Sequence, residues 1–328
     1  MTQFVTDVVI NAQGRWPELL SAIGISTPSH GKHGPCPCCG GRDRFRLDDK
    51  LGRGTWICNH CGYGDGLDLV AKVTGASLKS AAEMIASQLG LSVGGLSPTE
   101  RGRLRLQQQA RVEERQRQEQ QRHQKAAGEA ARIMRDSEIA QSPYLNAKGL
   151  GSYPCSISRS LQHAGGKTFP PGSTVVPLTI ENGSLVNVQL IREDGTKRYL
   201  PGGQTLGAFH RIDGSEFIAI AEGFATGLSV YQATGATTYC AMSCGNLQAV
   251  ARTAKRLHPA AQILICGDND LHTDGNPGKT KAEQAAACID AGSVIPPVAG
   301  DWNDFFQTRG PEETNAQILG NARSDGRQ

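Results

Sequence analysis

Two groups of side chains in this sequence have the types and spacing to do chemistry. The first is Cys36-Pro37-Cys38-Cys39, followed by Cys58-Asn59-His60-Cys61. Two Cys-x-x-Cys pairs at this separation let two hairpin tips offer four thiolates to one tetrahedral ion, the ligand set of a structural zinc site. Gly40 and Gly62 follow the pairs and let the backbone turn back without a Cβ clash. Cys36, Cys39, Cys58 and Cys61 are the expected Zn2+ ligands. Cys38 fits neither pair without distortion and is read as a spare. His30, His33 and His60 are further potential ligands, but four thiolates already close the site. A closed site has no open coordination position, so the expected role is structural.

The second group is acidic. Ile218-Ala-Ile-Ala-Glu222-Gly223 ends an apolar run with a carboxylate and a glycine. Ile263-Leu-Ile-Cys-Gly-Asp268-Asn-Asp270 ends another with two carboxylates, and Asp301-Trp-Asn-Asp304 follows a third. If the runs are parallel strands, their C-termini share one edge and the acids converge there. Such a cluster repels itself unless cations neutralise it, and carboxylate oxygens select Mg2+ or Mn2+ over zinc. Divalent ions held this way suit phosphoryl transfer. Glu222, Asp268, Asp270 and Asp304 are the expected catalytic acids.

Basic residues near both groups suggest an anionic substrate. Arg42, Arg44 and Arg46 alternate, so on a strand they share one face and Phe45 takes the other. The arginines point to single-stranded nucleic acid, with solvated surface as the alternative. Phe45 and Trp56 are expected to form a small core. Gly275-Asn-Pro-Gly-Lys279-Thr280 looks like a phosphate-binding loop, but the pattern requires glycine where Thr273 stands. Lys279 and Lys281 could meet substrate phosphates or solvent.

The elements that must position these residues divide the chain of 328 residues into zones. Residues 1–96 hold the cysteine cluster. Residues 97–140 carry ten Lys/Arg, seven Asp/Glu and no aromatic, which reads as a charged, exposed helical linker. Its excess of three positive charges equals that of the whole chain. A basic arm on a phosphate backbone is the alternative, which the interspersed acids disfavour. Residues 141–213 alternate strand-like runs (173–179, 184–191, 197–200) with turn signals, the pattern of antiparallel β structure. From 214 to 309, strands at 217–221, 237–242, 262–266 and 293–295 alternate with helices at 225–234, 247–257 and 279–291. That order predicts a parallel sheet with flanking helices, an α/β fold. The tail, 310–328, is expected to fray.

Ten cysteines, five of them clustered, fit metal binding in a reducing compartment better than disulfides. No apolar run approaches the roughly 18 residues of a membrane span. Asp7 and the lack of a basic start argue against a signal peptide, so a cytoplasmic protein is expected.

Glu222-Gly223 with Asp268-Asn269-Asp270 resembles the Toprim signature of bacterial-type primases, topoisomerases and some nucleases. Ala-Glu-Gly-x-Ala-Thr-Gly-Leu with Asp-Trp-Asn-Asp304 is similar to the primase portion of phage and plasmid primase–helicases of the satellite-phage alpha-protein type. His33 to Arg46 and Trp56 to Gly66 look like the zinc ribbon of the same family. The resemblance covers roughly residues 25–70 and 170–306. It implies that Glu222, Asp268 and Asp270 bind catalytic Mg2+ or Mn2+, with Glu222 a possible base and Asp304 a further acid. It also implies an α+β basic subdomain before the Toprim sheet, where Arg192, Lys197 and Arg198 would meet template or nucleotide.

The function implied is that of a DNA primase, a nucleotidyltransferase making short RNA primers on single-stranded DNA from ribonucleoside triphosphates. The helicase half of the family is not in this sequence, so a separate replicative helicase is the implied partner, in a phage or plasmid setting in the bacterial cytoplasm. The rivals are a Toprim nuclease and a non-catalytic zinc-ribbon accessory protein. A topoisomerase is disfavoured because Tyr231 and Tyr239 fall within the expected core.

Overall fold

The computed structural model describes residues 3–29, 31–91 and 98–324. His30 therefore lies outside the described residues. Two compact units meet at Gln118 and Glu119, so the first reaches beyond residue 96 and the second begins before residue 141.

The first unit opens with helices α1 (Gln3–Ala12) and α2 (Trp16–Ala22). Four strands follow, β1 (His33–Cys36), β2 (Gly40–Leu47), β3 (Trp56–Cys58) and β4 (Gly62–Gly64), and then α3 (Gly66–Thr74) and α4 (Leu78–Leu89). The strands form one antiparallel sheet in the order β1-β2-β3-β4. Asp65 starts α3 with a reciprocal capping box to Asp68, and Ser77 caps α4. A four-stranded ribbon this small cannot bury enough by itself. Its inner residues Phe45, Leu47 and Trp56 share a core with Trp16 and Leu20 of α2 and Leu69, Val70 and Ile85 of α3 and α4.

Helix α5 (Pro98–Arg135) crosses the boundary between units. The expected charged helix is present, but its last turns are not an exposed linker. Ala126, Ala130 and Ile133, spaced four and three apart, are buried with Phe169, Val175, Val188 and Leu190. That spacing puts them on one helix face.

The second unit continues with β5 (Ser137–Ala140), α6 (Pro143–Ala147), β6 (Cys155–Ser158), β7 (Gln162–Ala164), β8 (Lys167–Phe169), β9 (Thr174–Thr179), β10 (Leu185–Ile191) and β11 (Lys197–Tyr199). Strands β11-β10-β9-β6-β5 form an antiparallel sheet, and β7 and β8 form a separate hairpin. The run then reads β12 (His210–Ile212), β13 (Ser215–Ala221), α7 (Phe224–Thr234), β14 (Ala236–Cys240), α8 (Leu247–Leu257), β15 (Ile263–Cys266), α9 (Pro277–Ala287), β16 (Gly292–Val294) and α10 (Trp302–Ser324).

The last sheet has the order β12-β14-β13-β15-β16. All its pairs are parallel except for the edge strand β12. The α/β expectation holds, with β12 as an antiparallel addition. Alternation along β13 assigns the two faces. Ile218 and Ile220 pack with residues of α8 and α9, while Ala219 and Ala221 join a cluster with Val230 of α7 and Trp302 and Phe305 of α10. Small alanines on that face leave room for the indole of Trp302, which is fully buried. Gly227 has a related purpose: a Cβ there would lie 2.4 Å from Cys240 Sγ, so glycine lets α7 close on β14.

The tail departs from expectation. Helix α10 breaks at Gly310, where φ is 81°, and resumes at Pro311, a residue suited to a helix start. Thr314 and Ile318, four apart, are buried and Leu319 packs against the same cluster, so an adjacent apolar pair holds a mostly polar segment. No helix among the described residues is long and apolar enough to cross a membrane.

Candidate active site and zinc centre

Cys36 ends β1 and Cys58 ends β3, while Cys39 and Cys61 lie in the turns that follow. Their four sulfurs all lie within 4.8 Å of one another. Cys36 and Cys61 are 3.9 Å apart and Cys39 and Cys58 are 3.7 Å apart. A tetrahedron with Zn–S arms of about 2.3 Å has edges of roughly 3.8 Å, so the spacing fits zinc. The backbone N–H of Cys38 donates to Cys36 Sγ, and those of His60 and Cys61 donate to Cys58 Sγ, each at 3.4 Å. Cys38 thus contributes its backbone, and its thiol stands outside the four. Burial and the neighbouring Cys36 push that thiol up to about 11. His33 and His60 are likewise outside the set.

The outer ribbon face is only partly as expected. Phe45 and Trp56 stack in the core with ring centroids 5.9 Å apart. Arg46 is not a free cation: its guanidinium grips both carboxylate oxygens of Asp48, at 2.5 and 3.0 Å. Arg44 folds back over Gly41. Arg42 is exposed. Cross-strand register then reveals a row that sequence spacing did not single out: His33 pairs with Arg46, Arg46 with Ile57, and Ile57 with Tyr63. Tyr63 is 86% exposed, an aromatic ring presented to solvent beside Ile57.

In the second unit, β13 is flanked by β14 on one side and β15 on the other. The chain order changes direction at β13, and such a switch point opens a crevice at the strand C-termini. Ala221 and Cys266 are paired in register at the ends of β13 and β15. Glu222 follows the first and Asp268 stands two residues beyond the second. Glu222 Oε2 and Asp268 Oδ1 are both buried with no hydrogen-bond partner. Burial, followed by the charges of Glu222, Asp301 and Asp270, pushes the Asp268 carboxyl up to about 8. Burial also raises Glu222, against a backbone hydrogen bond from Cys244 that lowers it. Glu222 and Asp268, close enough for each to bear on the other, both leave one buried oxygen unpartnered, a donor set that fits a hard divalent cation. The trio does not gather as tightly as the cysteines. That matches Mg2+, which keeps waters and takes only one or two protein carboxylates.

Asp270 is held differently. Its Oδ2 accepts the N–H of Gly278 in the first turn of α9 at 2.9 Å. Between the two aspartates, Asn269 is buried and donates its amide to the carbonyls of Pro296 and Val298. The P-loop look-alike therefore has a local use: Asn276 caps α9 and the helix start holds Asp270. Lys279 in that turn is exposed and lies 3.8 Å from Glu283.

Asp304, one of the expected acids, and Asp301 hold each other's backbone at the start of α10. Asp301 Oδ1 accepts the N–H groups of Asn303 and Asp304 at 2.8 and 2.9 Å, and Asp304 Oδ2 accepts the N–H of Asp301 at 3.2 Å. This is a capping box at the start of α10. Asp304 is exposed, whereas the charge of Asp301 bears on Asp268.

Of the three basic residues expected beside the acids, one bears on them. The charge of Lys197 on β11 lowers both Glu222 and Asp268. Two residues on, Tyr199 shares its strand face and donates its hydroxyl to the Met242 carbonyl at 2.8 Å. Arg198 falls on the other face and lies across Gly165 of the β7–β8 turn. Arg192 is 3.3 Å from Asp194. Tyr239 is buried with its hydroxyl 2.8 Å from His258 Nε2, and Tyr231 is partly buried against Tyr153.

The fold and these two sites define a zinc-ribbon protein with a Toprim domain. Residues 31–67 match the family described as the zinc-binding domain of primase-helicase, and residues 217–312 match the Toprim domain. The chain is homologous to DNA primase TraC of Escherichia coli, with 32% identity over 226 residues, 64% of this chain and 20% of the relative. A second TraC sequence from Escherichia coli is 32% identical over 223 residues, 64% of this chain and 15% of the relative. The chain thus spans a fifth or less of the length of these curated relatives. Among solved structures, the primase fragment of the bacteriophage T7 primase-helicase aligns at 14% identity and TM-score 0.41, over 88% of this chain and 98% of that one. The zinc-binding and RNA polymerase domains of Aquifex aeolicus primase align at 15% identity and TM-score 0.36, over 98% and 86%.

Proposed function

We propose that this protein is a DNA primase that makes short RNA primers on single-stranded DNA from ribonucleoside triphosphates. The observation that carries this reading is the pair of buried, unpartnered oxygens on Glu222 and Asp268, at adjacent strand ends of a Toprim domain, in a chain that also holds a four-cysteine ribbon. Homology to primase TraC supports it.

In this reading Glu222, Asp268 and Asp270 hold Mg2+ or Mn2+. When bound, such ions supply Lewis-acid stabilisation of charge at the α-phosphate and lower the pKa of the attacking hydroxyl. The chain's own groups do the rest. Lys197 brings a positive charge to the acids and offers it to the anionic triphosphate. Asp301 adds negative charge behind Asp268. Arg192, Arg198 and Lys279 are proposed to meet phosphates of template or nucleotide, the first two after release from their local contacts. On the ribbon, Arg42 and Arg44 provide phosphate contacts and Tyr63 a face for a base, while zinc holds the hairpin tips. A replicative helicase is the proposed partner, in the bacterial cytoplasm.

The test is incubation of the purified protein with single-stranded DNA, Mg2+ and labelled ribonucleotides. Alkali-sensitive ladders that depend on the template are expected. Loss of the DNA without nucleotide incorporation would instead identify a nuclease.

A further inference from the structure

Asn276 lies six residues beyond Asp270 and belongs to no expected site. The surrounding stretch from Leu271 to Gly275 is exposed, so little packing fixes the loop that carries Asp270. Asn276 adds a side-chain restraint to the backbone hydrogen bonds of the turn. It sits in the left-handed region, with φ 41° and ψ 70°, which asparagine tolerates better than most residues. Its Oδ1 accepts the backbone N–H of Asp270 at 2.8 Å and that of Lys279 at 3.4 Å. Its amide nitrogen donates to Asn269 Oδ1 at 2.8 Å. One side chain thus ties together Asn269, Asp270 and the first turn of α9.

That turn is also what touches the Asp270 carboxylate. Gly278 N–H donates to Oδ2, and a Cβ on Gly278 would lie 2.6 Å from the Asp268 carbonyl and 2.9 Å from Asp270 Oδ2. Helix α9 therefore approaches the loop closely enough for its first turn to hold the carboxylate by a backbone N–H. With Oδ2 engaged, Oδ1 is the oxygen left for another partner. Asn269 faces the other way, anchored to the carbonyls of Pro296 and Val298. Moving the Asp270 backbone away from α9 would break its contact with Asn276.

The geometry points to Asn276 as a positioning residue for the divalent-cation site: it fixes the Asp270 carboxylate on α9 so that one oxygen is left for a cation beside Asp268. This rests on the reading of Glu222, Asp268 and Asp270 as cation ligands. A ligand held by a preset second layer binds more tightly than one on a free loop, and loss of such a partner costs about 10–100-fold in affinity or activity.

The experiment is Mn2+ titration of the zinc-loaded full chain, followed by electron paramagnetic resonance without nucleotide or DNA. Wild type is compared with Asn276→Ala, Asn276→Gly and Asn276→Asp, with far-UV circular dichroism and zinc content as fold controls. Asn276→Gly keeps the left-handed backbone and loses the side chain. Asn276→Asp keeps the acceptor for the Asp270 and Lys279 N–H groups but cannot donate to Asn269. Weaker Mn2+ binding by about tenfold or more in both Asn276→Ala and Asn276→Gly, with partial recovery in Asn276→Asp, is expected. Wild-type affinity in folded Asn276→Gly would overturn the inference, because only the backbone conformation would then matter. No Mn2+ uptake by wild type would instead sink the cation reading itself, and this inference with it.

Discussion

Glu222 and Asp268 each bury one carboxylate oxygen without a hydrogen-bond partner, at the C-terminal ends of two adjacent, in-register strands. The arrangement is costly without a cation, and the cost has a direction in pH.

The Asp268 carboxyl is pushed up to about 8, from an ordinary 3.8, by burial and then by the charges of Glu222, Asp301 and Asp270. A raised folded-state pKa means that the native state holds a proton which the unfolded chain releases. Without Mg2+, stability should therefore fall as pH rises through the window from about 4 to about 8. Asp268→Asn removes that penalty. At pH 8 without Mg2+ the variant should melt at least ~2–4 °C above wild type, equivalent to about 1 kcal/mol, and the gap should narrow steadily as pH falls toward about 4. Scanning fluorimetry across pH checks this. A variant less stable than wild type at pH 8 contradicts it.

The zinc centre makes a sharper distinction among five neighbouring cysteines. Cys38→Ser should retain one zinc per chain, because only its backbone N–H reaches a ligand sulfur. Cys39→Ser or Cys61→Ser should lose the metal and much of the first unit's folded structure, since site formation and folding are linked. Metal analysis of the purified variants, with circular dichroism, decides it.

Asp301 and Asp304 should separate in function. Asp304→Ala loses an acceptor in the capping box, a cost of ~0.5–2 kcal/mol if it behaves as caps do, and should keep activity within a few fold. Asp301→Asn keeps a good helix cap but removes the charge beside Asp268, and should impair Mg2+-dependent activity more than Asp304→Ala. Kinetics as a function of Mg2+, with melting curves, would reveal a reversal.

The end of α5 behaves as core. Ile133→Ala should cost about 2–5 kcal/mol, because Ile133 is buried among Phe169, Val175 and Val188. Leu106→Ala, on the part of the same helix where that side chain is 71% exposed, should change stability by less than ~0.5 kcal/mol. Denaturant melts of the two variants test whether this helix is tether or core.

These contrasts show what the sequence makes legible. Apolar runs ending in Glu222 and Asp268 announce strand ends, because alternating and continuous apolar patterns map directly onto sheet faces. Paired cysteines announce hairpin tips, because metal geometry limits their spacing. Asp-Trp-Asn-Asp offers two acids, and nothing in its spacing says that Asp304 would turn back to cap a helix. The three arginines of β2 alternate as read, yet Asp48 takes Arg46. Tyr63 becomes conspicuous only through register across three strands. Ala126, Ala130 and Ile133 carried a helical period that the surrounding charge obscured, and Ile318-Leu319 is too short an apolar pair to announce burial.

The most direct test of the central claim is template-dependent ribonucleotide incorporation on single-stranded DNA, measured for wild type beside Asp268→Asn and Asp270→Asn at matched zinc content and secondary structure. The account predicts short primers from wild type with Mg2+ and a loss of at least about a hundredfold in both variants, the scale of removing a major electrostatic contact in a catalytic site. Primer synthesis at wild-type rate by either variant would contradict it.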